Sequence, residues 1–273
     1  MATRGSRSTS KGPFRADQIR PGDPYELSDG HPVYCEPTGG HGAQKVKLGA
    51  QAILTDPAAQ DDSGVDPGYA PRPNVLRSPD IAVGNVPDEP GWIKGVPLLA
   101  VEYADTGQDE AELSRKITDL LKSGTKHLWV VRLTGIPRVE VHEPGLPMRI
   151  AVLDEELTAP GILKNPVPVR ALFEPGVARR VALRNLLQGQ GYESLEAVQE
   201  QARTEGEAKG KAEGLTEGKA EGLTTGLLML LEFRGIALTT AERERISSCR
   251  NVDDLRRWLD RARVAGTAAA ILV

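Results

Sequence analysis

The chain has 273 residues, a formal net charge of -4, and two cysteines, Cys35 and Cys249, far apart in sequence. This length allows a sizeable core with an appendage, and the charge excludes a global attraction to nucleic acid, so any polyanion must be held by a local basic surface. The cysteine pattern argues against a disulfide framework or a zinc site and fits a reducing, cytoplasmic setting, and the longest apolar run, Leu227 to Leu231, is far short of the roughly 20 residues of a membrane span.

Composition changes along the chain. Up to about Phe173 it is rich in Pro, Gly and Val with short apolar runs, and beyond that point Ala, Glu, Arg and Leu dominate. This predicts a mixed α/β domain followed by helices. The polar, basic start, without an apolar signal segment, reads as a disordered tail over 1–19. Tyr25 to Ser28 then runs through a turn at Asp29-Gly30 into a strand over Pro32 to Glu36, with Glu26 just before it. Val46, Ala50, Ile53 and Leu54 have helical spacing, so a first helix is expected over 42–54. Residues 56–78 show no period and read as a long irregular connection.

Asp80 to Val83 and Leu98 to Tyr103 are strand candidates joined by a Pro/Gly-rich loop carrying Trp92. Alternation in the second places Leu98, Ala100 and Glu102 on one face and Leu99, Val101 and Tyr103 on the other. A helix is predicted over 109–123, opened by Asp109 with Glu112 at capping-box spacing and closed by Gly124. Within it Leu113, Lys116, Ile117 and Leu120 share one stripe. His127 to Leu133 and Arg138 to His142 form a hairpin pattern, Met148 to Leu153 suits a further strand, and Val177 to Leu187 begins the helical part. Glycines recur every fourth residue from Gly206 to Gly226. At roughly 1 kcal/mol each relative to Ala they weaken a helix, so residues 176–226 read as a helical, glycine-interrupted linker ahead of a small helical module over 227–273. The repeat itself is either a flexible charged connection, the reading favoured, or a helix whose glycine stripe lets another backbone approach closely.

Three charges stand out on this apolar framework: Asp80 opening one strand, Glu102 near the end of the next, and Lys116 in the helix stripe. Burying unpaired charges is costly, which suggests partners, most simply a divalent cation held by the two carboxylates with the lysine beside it. The competing account makes the acids strand-end charges and lets Lys116 snorkel; from periodicity alone that account stands ahead. His31, His127 and His142 lack metal-ligand spacing, and His41 reads as a helix-start or surface residue. Arg115, Lys122, Lys126, Arg132, Arg138, Arg170, Arg179, Arg180 and Arg184 supply positive charge in and beyond this region, either for a polyanion or simply for solvation.

The ordered set Pro79-Asp80-Ile81-Ala82-Val83, Pro97 to Glu102, Lys116 with Gly124 eight residues on, and Leu128 to Val131 resembles the Uma-type restriction endonuclease family, a branch of the PD-(D/E)XK nuclease superfamily. Tyr25 to Gly30 matches that family's N-terminal signature, and the resemblance covers about residues 20–155. It implies an α+β restriction-endonuclease-like fold, a mixed β-sheet flanked by helices, over 20–175, with a helical C-terminal extension. It further implies Asp80 and Glu102 as ligands of Mg²⁺ or Mn²⁺, Lys116 as the catalytic lysine, Glu26 as an assisting acid, and metal-dependent endonuclease cleavage of nucleic acid, DNA foremost. The superfamily's usual lysine position is Ala104 here, so Lys116 would be a migrated lysine. Asp105 and Leu120 replace a common Ser and Tyr. The alternative function is a non-catalytic nucleic-acid- or protein-binding module. In either case the C-terminal helices would support a homo-oligomer or a protein partner, with no membrane association.

Overall fold

The computed structural model describes residues 12–35, 37–107 and 109–273. The expectation of a disordered tail therefore lies outside the described residues as far as residue 11, as does Glu36 at the end of the second predicted strand. Residues 12–19 are ordered. Ala16–Gln18 form a 3-10 turn whose Ala16 N donates to Pro73 O at 2.7 Å, and Trp92 Nε1 donates to the carbonyls of Ala16 and Ile19.

The chain divides into two compact units, the first ending at Leu195 and the second spanning Glu196–Val273. In the first, β1 (Tyr25–Ser28) and β2 (His31–Tyr34) form a hairpin across Asp29 and Gly30, both at positive φ, 49° and 80°, as a tight two-residue turn demands. Helix α1 (Gly40–Ile53) follows. The stretch expected to be irregular contains three short strands, β3 (Ser63–Val65), β4 (Tyr69–Arg72) and β5 (Val75–Arg77). Segments of three or four residues, punctuated by prolines, are too short to show a period. Next come β6 (Ile81–Val83), β7 (Ile93–Lys94), β8 (Leu99–Ala104), α2 (Glu110–Ser123), β9 (His127–Arg132), β10 (Arg138–His142), β11 (Arg149–Val152), a small pair β12 (Glu156–Leu157) and β13 (Val167–Pro168), and α3 (Pro175–Gly189).

The strands form a six-stranded sheet in the order β11-β10-β9-β8-β6-β3 and a five-stranded sheet in the order β2-β1-β5-β4-β7. β8 and β9 run parallel with α2 as their crossover, whereas β6 pairs antiparallel with β8, Ile81 opposite Val101. Alternation along β8 divides the core as the sequence pattern predicts. Leu99, Val101 and Tyr103 join the cluster with Ile81, Trp129, α1 and α3; Ala100 and Ala104 face Leu113 and Leu120 of α2. Helix α2 is amphipathic, capped by Asp109, which accepts from the N–H groups of Ala111 and Glu112, and stopped at Gly124 at φ 125°.

Residues 176–195, assigned from sequence to the linker, belong to the first unit. Ala178, Val181 and Asn185 of α3 are buried, and Asn185 Nδ2 donates to Ala52 O of α1 at 3.2 Å. In the second unit the glycine repeat is helical, inside α4 (Leu195–Phe233), where pairs such as Arg203–Glu207 at 3.0 Å support the exposed helix surface. Ala220, Leu227 and Leu231 of α4 pack with α5 (Thr240–Ser248), α6 (Val252–Arg261) and α7 (Ala268–Ile271) around Ile246, Leu255 and Trp258. Thr239 with Glu242 caps α5 through a capping box, and Asn251 caps α6 by accepting from the N–H groups of Asp253 and Asp254. Among the described residues no helix is long and apolar enough to cross a membrane.

Candidate active site

The antiparallel register of β6 and β8 sets the site. Asp80 lies one step before Ile81, so it stands opposite Glu102, and both acids project to the α2 face of the six-stranded sheet. Asp80 Oδ2 accepts from Tyr103 N at 2.6 Å, which orients its carboxylate along the strand pair. Lys116 reaches this face from α2. Its Nζ lies 2.7 Å from Glu102 Oε1, 2.8 Å from Glu26 Oε1 and 2.6 Å from Ser78 O, where it donates. Glu26 arrives from β1 in the other sheet, and its Oε1 also accepts from Ser78 N at 3.0 Å. Glu26, Asp80, Glu102 and Lys116, the four residues singled out from sequence, therefore meet at the junction of the two sheets and α2.

Glu26 and Glu102 are buried, and their side chains and that of Lys116 are at most 12% exposed. Burial pushes the Glu102 carboxyl up to about 8, reinforced by the neighbouring acids Asp80 and Glu26 and opposed by Lys116. Burial raises the Asp80 carboxyl as well, against Lys116 and the Tyr103 amide. For Lys116 burial acts downward, but Glu102, Glu26 and Asp80 outweigh it and hold the ammonium above its ordinary value. Two carboxylates thus contact one lysine, and a third, Asp80, adds its charge through space.

Sequence reasoning missed Arg77, the largest charged side chain in the core, with 0% exposure. It pairs across β1 and β5 with Glu26 and also binds Glu112 and Asp119 of α2. Its charge is held upward by these partners although burial opposes it. The only sequence signal was an arginine inside the apolar Val75-Leu76-Arg77 run, just ahead of Pro79-Asp80.

The donor set suits a hard divalent cation. The group offers oxygen ligands only, and Glu102 Oε1 is buried without an aligned hydrogen bond despite its ionic contact with Lys116. Among the described residues no three His, Cys, Asp or Glu side chains form a ready cage. Mg²⁺ does not require one, since it is commonly held by one or two carboxylates together with waters and substrate phosphates.

Several basic residues considered for a polyanion are engaged elsewhere. Arg132 is tied to Glu110 and Glu140, Arg170 to Asp154 and Glu174, and Arg115 to Glu112. Lys122 and Lys126 are exposed at the end of α2 and just after it. His41 is exposed at the start of α1, His127 lies 2.9 Å from Glu143, and burial lowers the His142 pKa.

No protein-family model matches the chain, and no curated protein matches it. A solved structure does, a protein from Anabaena variabilis ATCC 29413 described as "a putative nuclease belonging to DUF820", with a TM-score of 0.51 and 16% identity, covering 60% of this chain and 99% of the other. At that identity the likeness shows the fold alone. The protein has a mixed α+β, restriction-endonuclease-like fold followed by a helical C-terminal region.

Proposed function

We propose that this protein is a metal-dependent endonuclease of the PD-(D/E)XK superfamily, close to its Uma-type branch, that hydrolyses phosphodiester bonds in DNA. The observation that carries the reading is the contact of the single Lys116 ammonium with both Glu102 and Glu26, beside Asp80, which is held by the Tyr103 amide across the strand pair, on a fold shared with a solved DUF820 protein.

Asp80 and Glu102 would hold Mg²⁺ or Mn²⁺ between adjacent strand ends. The cation, when bound, supplies Lewis acidity at the phosphate. Lys116 presents N–H donors on the same face, suited to stabilising negative charge on the phosphoryl oxygens as one P–O bond forms to water and another breaks. Glu26 holds the ammonium in place through Oε1 and would be the acid that assists in orienting the attacking water. Burial strengthens each of these electrostatic contacts relative to water.

Plasmid cleavage tests the proposal. Supercoiled DNA is incubated with the full chain in Mg²⁺ or Mn²⁺, comparing wild type with Asp80→Ala and Lys116→Ala. The expected result is nicking by wild type and a loss of about a hundredfold or more in both variants. Equal activity in all three would overturn the mechanism.

A further inference from the structure

Arg77 is not accounted for by cation binding or water activation, yet it is the most completely engaged side chain near the site. Its Nη1 donates to Glu26 Oε2 at 3.2 Å and to Glu112 Oε1 at 2.7 Å. Nε and Nη2 both donate to Asp119 Oδ2, at 3.1 and 2.7 Å, and Nη2 also donates to Ser28 Oγ at 3.0 Å. Glu112, Lys116 and Asp119 stand at i, i+4 and i+7 of α2 and so share one face of that helix. The guanidinium grips both ends of this stripe with Lys116 between them.

The opposite side of the same group acts on Glu26. By taking Oε2, Arg77 leaves Oε1 for Ser78 N and the Lys116 ammonium. One buried cation therefore fixes the helix that carries the lysine and the carboxylate that faces it. A planar guanidinium can span three carboxylates in this way, whereas an ammonium is a point charge on a flexible stem. Burying such a group for stability alone is poorly rewarded, because apolar packing in its place is often as stabilising.

We propose that Arg77 is a positioning residue that sets the Lys116 ammonium against Glu26 and Glu102; this rests on the endonuclease reading above. Removing Arg77 outright strips the counter-charge from three acids and can prevent folding. The decisive variant therefore releases the grip from the helix side, Glu112→Gln combined with Asp119→Asn, leaving Arg77 and Glu26 intact. In the full chain, kcat for Mg²⁺-dependent plasmid cleavage is expected to fall about tenfold or more with KM and far-ultraviolet circular dichroism unchanged, since small misplacements of a reacting group carry costs of that size. Lysine-selective ¹⁵N spectra, with the Lys116 signal assigned through Lys116→Arg, are expected to lose the protected Nζ resonance of the wild type. Arg77→Lys, which keeps the charge without the fork, is expected to match the double variant. An unchanged kcat, an effect confined to KM, an unchanged Lys116 signal, or wild-type kcat in Arg77→Lys would each overturn the assignment. If wild type itself leaves plasmid intact, the endonuclease reading fails, and the Lys116 resonance alone then decides whether Arg77 positions the lysine.

Discussion

Replacing Glu102 by glutamine separates the stability of the site from its chemistry. The glutamine keeps the shape and the contact with Lys116 but removes the charge that burial and the neighbouring acids oppose. With its folded pKa raised from 4.5 to about 8, Glu102 takes up a proton more readily in the folded chain than in the unfolded one. Its contribution is therefore fully present below about pH 4.5 and is lost as the pH rises through about 8. At about 1.4 kcal/mol per pKa unit, the wild type should lose roughly 3 kcal/mol relative to Glu102→Gln between about pH 5.5 and 8. Urea unfolding of both proteins in chelator, at intervals between those limits, measures the difference directly. The variant should be the more stable at alkaline pH and should be inactive on plasmid in Mg²⁺, because a neutral amide is a poor ligand for that cation. A difference independent of pH, or a variant less stable than wild type at pH 8, would refute the account of Glu102 as a carboxyl held out of its ordinary range by burial.

Glycine-to-alanine substitution should change sign between the two units. Gly49→Ala adds a methyl that overlaps Tyr103 Oη and lies 2.9 Å from Ile81 Cδ1, so despite better helix propensity it should cost about 1 to 3 kcal/mol in urea unfolding. Gly210→Ala, Gly214→Ala and Gly218→Ala meet nothing within 4 Å and should each add about 1 kcal/mol of helix stability, read as increased helicity and a higher melting temperature of the α4 signal. Arg132 makes paired contacts with Glu140 at 2.9 and 2.9 Å and with Glu110 at 2.6 and 3.0 Å. Arg132→Lys loses both forks and should destabilise the first unit by about 1 to 2 kcal/mol by chemical denaturation, with plasmid cleavage retained per folded molecule.

Elements whose signals are local could be read from the order of residues alone. The β8 alternation placed Glu102 with Ala100, the Asp109 cap and Gly124 stop bounded α2, and the i, i+3, i+4, i+7 stripe put Lys116 on its buried side. Such patterns are legible because periodicity and capping depend on residues a few positions apart. It is packing that brings Glu26 to Lys116 from a second sheet, lets Arg77 bridge β1, β5 and α2, and forms three short strands within residues 63–77. Those contacts join residues 26, 77, 102 and 116, whose meeting depends on register between distant strands, and no local pattern records that register. The glycine repeat shows the same limit from the other direction. Local propensity argues against helix there, whereas α4 continues through it into a segment anchored by Leu227 and Leu231, where packing nucleates a helix that then propagates one hydrogen bond per residue.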